Sequence, residues 1–232
     1  MNEPTAPHRR IQTYVRRSSP LTHSQQRGND EYAARFRIPP GTCLDSLHLF
    51  CNQHPLTIEI GFGMGQSLVT MAQQHPERNF LGIEVHLPGL AQLYFAAGEQ
   101  QLTNLKVLEG DAIRLLAEHC PPASVDRFQL FFPDPWPKSR HHKRRLVCPD
   151  NVELLRQRLC IGGVFHMATD WPPYAQWMLD VMTAAPGFTN LAGIGQFHER
   201  PADRPLTRFE QRGLREGRPI RDLLFQRLAD TT

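Results

Sequence analysis

From about residue 55 onward, the apolar positions of this chain switch repeatedly between two rhythms. Leu56–Ile60 is a compact run of strand type that stops at glycines, and Leu68, Val69, Met71 and Ala72 then share one face of a helix. Phe80–Val85 reads as the next strand. Pro88–Gln101 reads as a helix, with its proline suited to a first turn. Leu105–Leu108 is a third strand, followed by a helix carrying Ile113, Leu115 and Leu116, and Val125–Phe132 is a fourth strand. A proline-rich, basic loop spans Pro133 to Leu146. Pro149 and Asp150 then open a helix with Val152, Leu155 and Leu159 on one face. Val164–Ala168 is a fifth strand. Tyr174, Trp177, Met178, Val181 and Met182 have helical spacing, and Asp222–Leu228 returns as a last strand. Strands alternating with helices predict a parallel sheet covered on both faces. Residues 1–30 are polar, Arg-rich and broken by prolines. They are expected to form a mobile basic arm ahead of a single domain over 31–232.

Composition narrows the class. With 232 residues, 40% hydrophobic and 21% charged, the chain has the make-up of a soluble globular protein. No apolar run has the length of a membrane span, and the first residues lack the apolar core of a secretory signal. Five scattered cysteines without CxxC spacing, and no HxH or HExxH pattern, argue against a disulfide framework or a metal site and fit a cytoplasmic protein. The net charge of +3 is small, but it is unevenly spread. Five arginines lie in residues 1–30, five Lys or Arg in 138–145, and six arginines in 204–221. Three basic segments on a nearly neutral chain predict a localised face for a polyanion, against the plainer alternative of solvated loops.

Glu59-Ile60-Gly61-Phe62-Gly63-Met64-Gly65 closes the first strand and opens a helix. Glycines permit a tight turn that a ligand can approach closely, and ligands of open α/β sheets sit at the carboxyl ends of the strands. A dinucleotide fingerprint requires glycine where Gln66 stands, and a phosphate-cradling loop requires a lysine that is missing. Glu59 would repel a pyrophosphate but attract an ammonium group. Glu84, at the end of the second strand, can accept from ribose hydroxyls. Asp111, after the third, can accept from an adenine amino group or simply cap its helix. Strand four runs into Pro133-Asp134-Pro135-Trp136-Pro137-Lys138, a corner stiffened by prolines. Trp136 there either stacks on a base or packs into the core.

These segments carry a resemblance. Together with Ala168-Thr169-Asp170-Trp171 and Arg204–Glu210, the glycine turn and the Pro-Asp-Pro-Trp-Pro-Lys loop resemble the bacterial tRNA (guanine-N7-)-methyltransferases, the TrmB family. The resemblance implies a class I S-adenosylmethionine-dependent methyltransferase fold: α/β, Rossmann-like, with a mostly parallel seven-stranded sheet and helices on both faces. It implies S-adenosyl-L-methionine as cofactor, bound by Glu59, Gly61, Gly63, Glu84, Asp111 and Asp134, with Asp134 also catalytic. It implies tRNA as partner, methylated on N7 of guanosine 46. Lys138, Asp170, Thr207, Arg208, Phe209 and Glu210 match the positions that contact substrate, and Arg140, His141, His142, Lys143, Arg144 and Arg145 those that contact RNA. Lys138 would either neutralise a phosphate or orient Asp134. A methyltransferase with another RNA or an amine as acceptor, and an RNA-binding relative without turnover, are the alternatives. Monomer and homodimer are both compatible with the sequence.

Overall fold

The computed structural model describes residues 13–14 and 19–230, with the side chains of 208 and 209 excepted. Among the described residues, seven strands form one sheet in the order β3-β2-β1-β4-β5-β7-β6. They are β1 (Leu56–Ile60), β2 (Asn79–Glu84), β3 (Leu105–Glu109), β4 (Val125–Phe131), β5 (Leu159–Thr169), β6 (Phe188–Asn190) and β7 (Arg221–Arg227). Strands β1 to β5 run parallel, and β7 is antiparallel to both β5 and β6. Strand order reverses between β1 and β4, the place where open α/β sheets leave a crevice at their carboxyl edge.

Side chains alternate across the sheet, so its two faces have different partners. Ile58, Leu81, Phe128, Phe165 and Phe225 join the core built with α3 (Ser46–Phe50), α6 (Ala112–His119), α7 (Pro149–Arg158) and α8 (Pro172–Ala184). On the other face, Phe80 and Val107 pack under α4 (Gln66–Gln74) and α5 (Leu87–Glu99). That second face carries a polar row, because Glu59 stands opposite Gln129 and Gln129 opposite His166 across adjacent strands. Gly82 completes the row toward β2. A Cβ at Gly82 would come within 2.6 Å of Phe62 and 2.7 Å of Leu68, so glycine lets the turn after β1 settle onto the sheet.

Three expectations from the sequence are corrected. Leu159 opens β5 instead of closing the preceding helix. Helix α7 ends at Arg158, and Leu159 takes extended backbone and pairs with Val125. Helix α3, strand β6, which is three residues long, and helix α9 (Arg208–Arg215) are additions to the predicted elements. The expected arm over 1–30 is not uniform. Residues 1–12 and 15–18 lie outside the described residues, but α1 (His23–Arg27), a π-helical turn at Gly28–Tyr32 and α2 (Ala33–Phe36) are folded against α5. The approach there is close, since a Cβ on Gly28 would lie 2.3 Å from the Ala91 carbonyl oxygen. Arg27 and Tyr32 both bond Glu99, the tyrosine hydroxyl at 2.6 Å.

Candidate active site

Gly61, Gly63 and Gly65 all have positive φ, at 71°, 58° and 75°, a conformation that L side chains rarely adopt. The turn they form is fastened by Glu84. Its carboxylate accepts from the backbone N–H of Gly63 at 2.9 Å, of Val85 at 2.7 Å and of His86 at 3.1 Å. Helix α5 closes the other side, and the place a Cβ would take on Gly89 is 2.0 Å from the Gly63 carbonyl oxygen. Between these elements and the loop after β4 lies a cleft of about 360 Å³. Gly61, Gly63, Glu84, Gly110, Phe132 and Asp134 are among its walls, and Tyr14 is at its mouth. Cβ atoms built on Gly61 and Gly63 meet nothing within 4 Å, so the glycines leave the cleft floor open.

Glu59 lies beneath this floor instead of in the wall. It is 3% exposed, and its Oε2 atom is buried without a hydrogen-bond partner among the described residues. Burial, and secondarily the charge of Glu84, pushes its carboxyl up to about 8, so it holds a proton at neutral pH. Asp111 caps α6, accepting from the Arg114 N–H at 3.2 Å. It faces a neighbouring cleft of about 640 Å³ that shares Tyr14 and Gly110 with the first.

The loop after β4 is backbone-strained at two non-glycine residues, Phe132 (φ 52°) and Trp136 (φ 45°), on either side of Asp134. The Phe132 N–H donates to the Ala168 carbonyl at 2.8 Å, which pins the loop to the end of β5. Asp134 itself is exposed, as are Lys138, Arg140 and Lys143. Trp136 is only half-buried and is not part of the core. Its Nε1–H donates to the Thr13 carbonyl at 3.3 Å, and the Arg144 guanidinium lies 3.9 Å from its ring centroid. Arg144 also donates to the Tyr14 carbonyl at 3.2 Å, so two residues of this loop hold residues 13 and 14 beside the cleft. His141 and His142 lie in the same 3-10 turn, Ser139–Arg144. Loss of hydration, then the charges of Arg140, Arg144, Lys138 and Lys143, lowers the His141 pKa.

Arg145 departs from its expected place at the RNA. It is 4% exposed, donates to the Pro135 carbonyl at 3.0 Å and lies 5.0 Å from both the Tyr174 and Trp177 rings. Its charge is turned inward, where it shapes the loop. Asp170, at the end of β5, accepts from Arg218 at 2.8 Å and lies beside α9, 3.4 Å from where a Cβ on Gly213 would stand. Thr207 caps α9 through the Glu210 N–H at 3.1 Å. Glu210 is buried and paired with Arg204, so it too faces inward. Arg208 and Phe209 sit in the first turn of α9.

The structure therefore gathers Gly61, Gly63, Glu84 and Asp134 around one cleft. It sets Asp111 beside it and Glu59 below it, while Asp170 follows the end of β5 and Thr207 lines a separate pocket with Gln66, Ser67 and Thr70 of α4. Tyr14 and His86 do not stand out in the sequence, and Arg204 does so only as the first residue of a motif, with no role assigned to it. The first lies far away in the chain, and nothing in local spacing distinguishes a buried arginine from a surface one. No metal is expected from the sequence. Among the described residues, Cys43, Asp45 and His48 bring donor atoms within 4.8 Å of one another, a grouping that follows from Asp45 capping α3 through the His48 N–H at 2.8 Å. No helix among the described residues is long and apolar enough to cross a membrane.

Comparisons with known proteins agree with this fold. A family model described as "Putative methyltransferase" matches residues 53–223. Among solved structures, the 16S rRNA methyltransferase KamB aligns with a TM-score of 0.55 at 14% identity, covering 95% of this chain and 99% of that one. The cyclase SpnF aligns at 0.52 and 14% identity over 76% of each chain, a reminder that this fold alone does not fix the chemistry. Fold and cleft together define a class I S-adenosylmethionine-dependent methyltransferase architecture. Curated tRNA (guanine-N(7)-)-methyltransferases are far closer. The Acinetobacter baylyi protein is 51% identical over 95% of this chain and 89% of its own length, and the Pectobacterium atrosepticum protein is 49% identical over 96% and 93%. The chain belongs to the tRNA (guanine-N(7)-)-methyltransferase family.

Proposed function

We propose that the protein methylates N7 of guanosine in tRNA, at position 46 of the variable loop, with S-adenosylmethionine as donor. The observation that carries this reading is the placement of Asp134 at the mouth of a glycine-floored, Glu84-walled cleft. The residues present fit the cofactor. The floor is open above Gly61 and Gly63, Glu84 keeps lone pairs for ribose hydroxyls, and the orphaned Glu59 Oε2 has capacity for a cationic partner. Asp111 stands at the neighbouring end for an adenine amino group. Bound there, S-adenosylmethionine supplies a methyl group activated by its sulfonium.

The protein's own task is then placement. Guanine N7 carries a lone pair and no proton, so no residue has to deprotonate it. Asp134 accepts from guanine N1–H and N2–H₂, which selects guanine over adenine and stabilises the ring as it turns cationic. In the free protein this carboxylate is exposed, and a base covering it strengthens the interaction by excluding water. Asp170, just after β5, and Thr207, at the N-cap of α9, hold the nucleotide in this reading. Lys138, Arg140 and Lys143 are free of the core and suited to phosphates. The lowered His141 pKa keeps that ring from adding to the positive charge of the loop at neutral pH. The basic residues Arg9, Arg10, Arg16 and Arg17 flank residues 13 and 14 in sequence and support the reading of an RNA-holding arm. A soluble cytoplasmic enzyme acting on free tRNA fits these features, and the methyl transfer calls for no metal ion.

Incubating unmodified tRNA transcripts with labelled donor and mapping the modified nucleotide tests the proposal. The expected product is N7-methylguanosine at position 46. Label on another atom, or no label at all, overturns it.

A further inference from the structure

We propose that Arg204 is the positioning hub of the substrate side of the site, and that Glu210 acts through Arg204 and not by touching RNA. The inference rests on the tRNA reading above and concerns how the same site is held.

Arg204 is 1% exposed and is among the largest fully buried side chains of the protein. Its Nη1 and Nη2 donate to the two oxygens of Glu210 at 2.6 and 2.8 Å. On its other side Nη2 donates to Asp222 Oδ2 at 2.9 Å, and Nε lies 2.8 Å from Oδ1, a charge contact with its N–H off line. Asp222 Oδ1 in turn accepts from His166 Nε2 at 2.8 Å. Burial lowers the His166 pKa and keeps that ring neutral, so the arginine is the cation between two carboxylates. The guanidinium also lies 5.8 Å and 5.9 Å from the Phe131 and Phe132 ring centroids.

Each partner leads to a different part of the site. Phe132 is followed directly by Pro133 and Asp134. Asp222 pairs with Ala168, two residues before Asp170. Glu210 ends the turn that Thr207 caps. One buried cation therefore ties together the three chain segments that carry Asp134, Asp170 and Thr207. An arginine fork suits this task because its planar donors fix angle as well as distance. Apolar side chains would stabilise such a core about as well, so a buried ionic cluster points to geometry and not to stability. Glu210, itself 1% exposed, has both oxygens directed at Arg204 and none at solvent.

The test uses the full chain with Asp222→Asn, Glu210→Gln and the double variant. It measures kcat and KM on the tRNA transcript, the Kd for S-adenosylmethionine, and Tm. Asp222 is buried in β7 and out of reach of RNA, and asparagine keeps its shape. The expected result is a loss of at least tenfold in kcat/KM for each single variant, with cofactor Kd within twofold. The double variant should be no worse than the weaker single, because both changes loosen one hub. Wild-type turnover by Asp222→Asn, or losses that multiply in the double variant, would overturn the proposal. If either single variant fails to melt cooperatively, Arg204→Lys decides on the same criteria, since it keeps the charge and loses the fork. Failure of the functional reading is separable, because it shows as an inactive wild type.

Discussion

The Glu84 carboxylate accepts a 2.9 Å hydrogen bond from the backbone N–H of Gly63, joining the end of β2 to the glycine turn after β1. The same side chain takes two further amides, so it shapes the cleft before any ligand arrives. Glu84→Gln replaces one accepting oxygen with a donor that faces a donor. Charge-assisted hydrogen bonds contribute about 1.5–3 kcal/mol each. The expected outcome is a rise of at least tenfold in the Kd for S-adenosylmethionine, read by calorimetry.

Two glycines near this turn should fail in different ways. Gly89→Ala drives a Cβ to 2.0 Å from the Gly63 carbonyl oxygen, so the fold itself must shift. A loss of about 1–3 kcal/mol is expected, seen as a lowered Tm. Gly61→Ala meets no neighbour but keeps φ at 71° and projects a methyl into the cleft. A smaller loss of stability, about 1–2 kcal/mol, should accompany a marked loss of cofactor affinity.

Glu59 makes stability depend on pH in an unusual direction. Its folded-state carboxyl is raised from 4.5 to about 8, mainly by burial. Between those values the native state holds a proton that the unfolded chain releases, so stability falls as pH rises. Each unit is worth about 1.4 kcal/mol at most. The ligand-free protein should therefore lose up to a few kcal/mol across this window, and Glu59→Gln should flatten the profile, as checked by urea titrations at several pH values. If the cofactor's ammonium meets Glu59, binding at pH 7 releases a proton, detectable as a buffer-dependent heat.

The basic loop divides into groups that face solvent and one that does not. Arg140→Ala and Lys143→Ala should weaken tRNA binding and reduce the salt slope of log K by about 0.7–0.9 for each phosphate left without its cation. Arg145→Ala should leave that slope unchanged and lower Tm by several degrees, because it removes the bond to Pro135 and the packing on Tyr174 and Trp177. Nitrocellulose binding over a salt series separates the two outcomes.

How far the sequence can be read depends on how local each feature is. Strand β1, the glycine turn and α4 lie within twenty residues, and their rhythm alone places them. Leu159 is ambiguous from the sequence because an apolar residue after a helix fits the helix face as well as a following strand. Only its pairing with Val125 decides. Strand β6 is too short to show a period, and α9, rich in arginine and bordered by glycine, lacks an apolar stripe. Residues 23–30 read as part of an arm because their contacts, to Ala91, Phe95 and Glu99, are far along the chain.

The sequence by itself determined the alternating α/β architecture, the glycine turn and the set of acids at the strand ends, since local sterics and hydrophobic period encode these directly. Tertiary structure decided which charges the site presents. It turned Arg145 and Glu210 inward, left Asp134, Arg140 and Lys143 outward, and buried Glu59 until it holds a proton. Those outcomes depend on burial and on partners distant in the chain, as where Trp136 meets Thr13 across 123 residues, and no local pattern records such meetings.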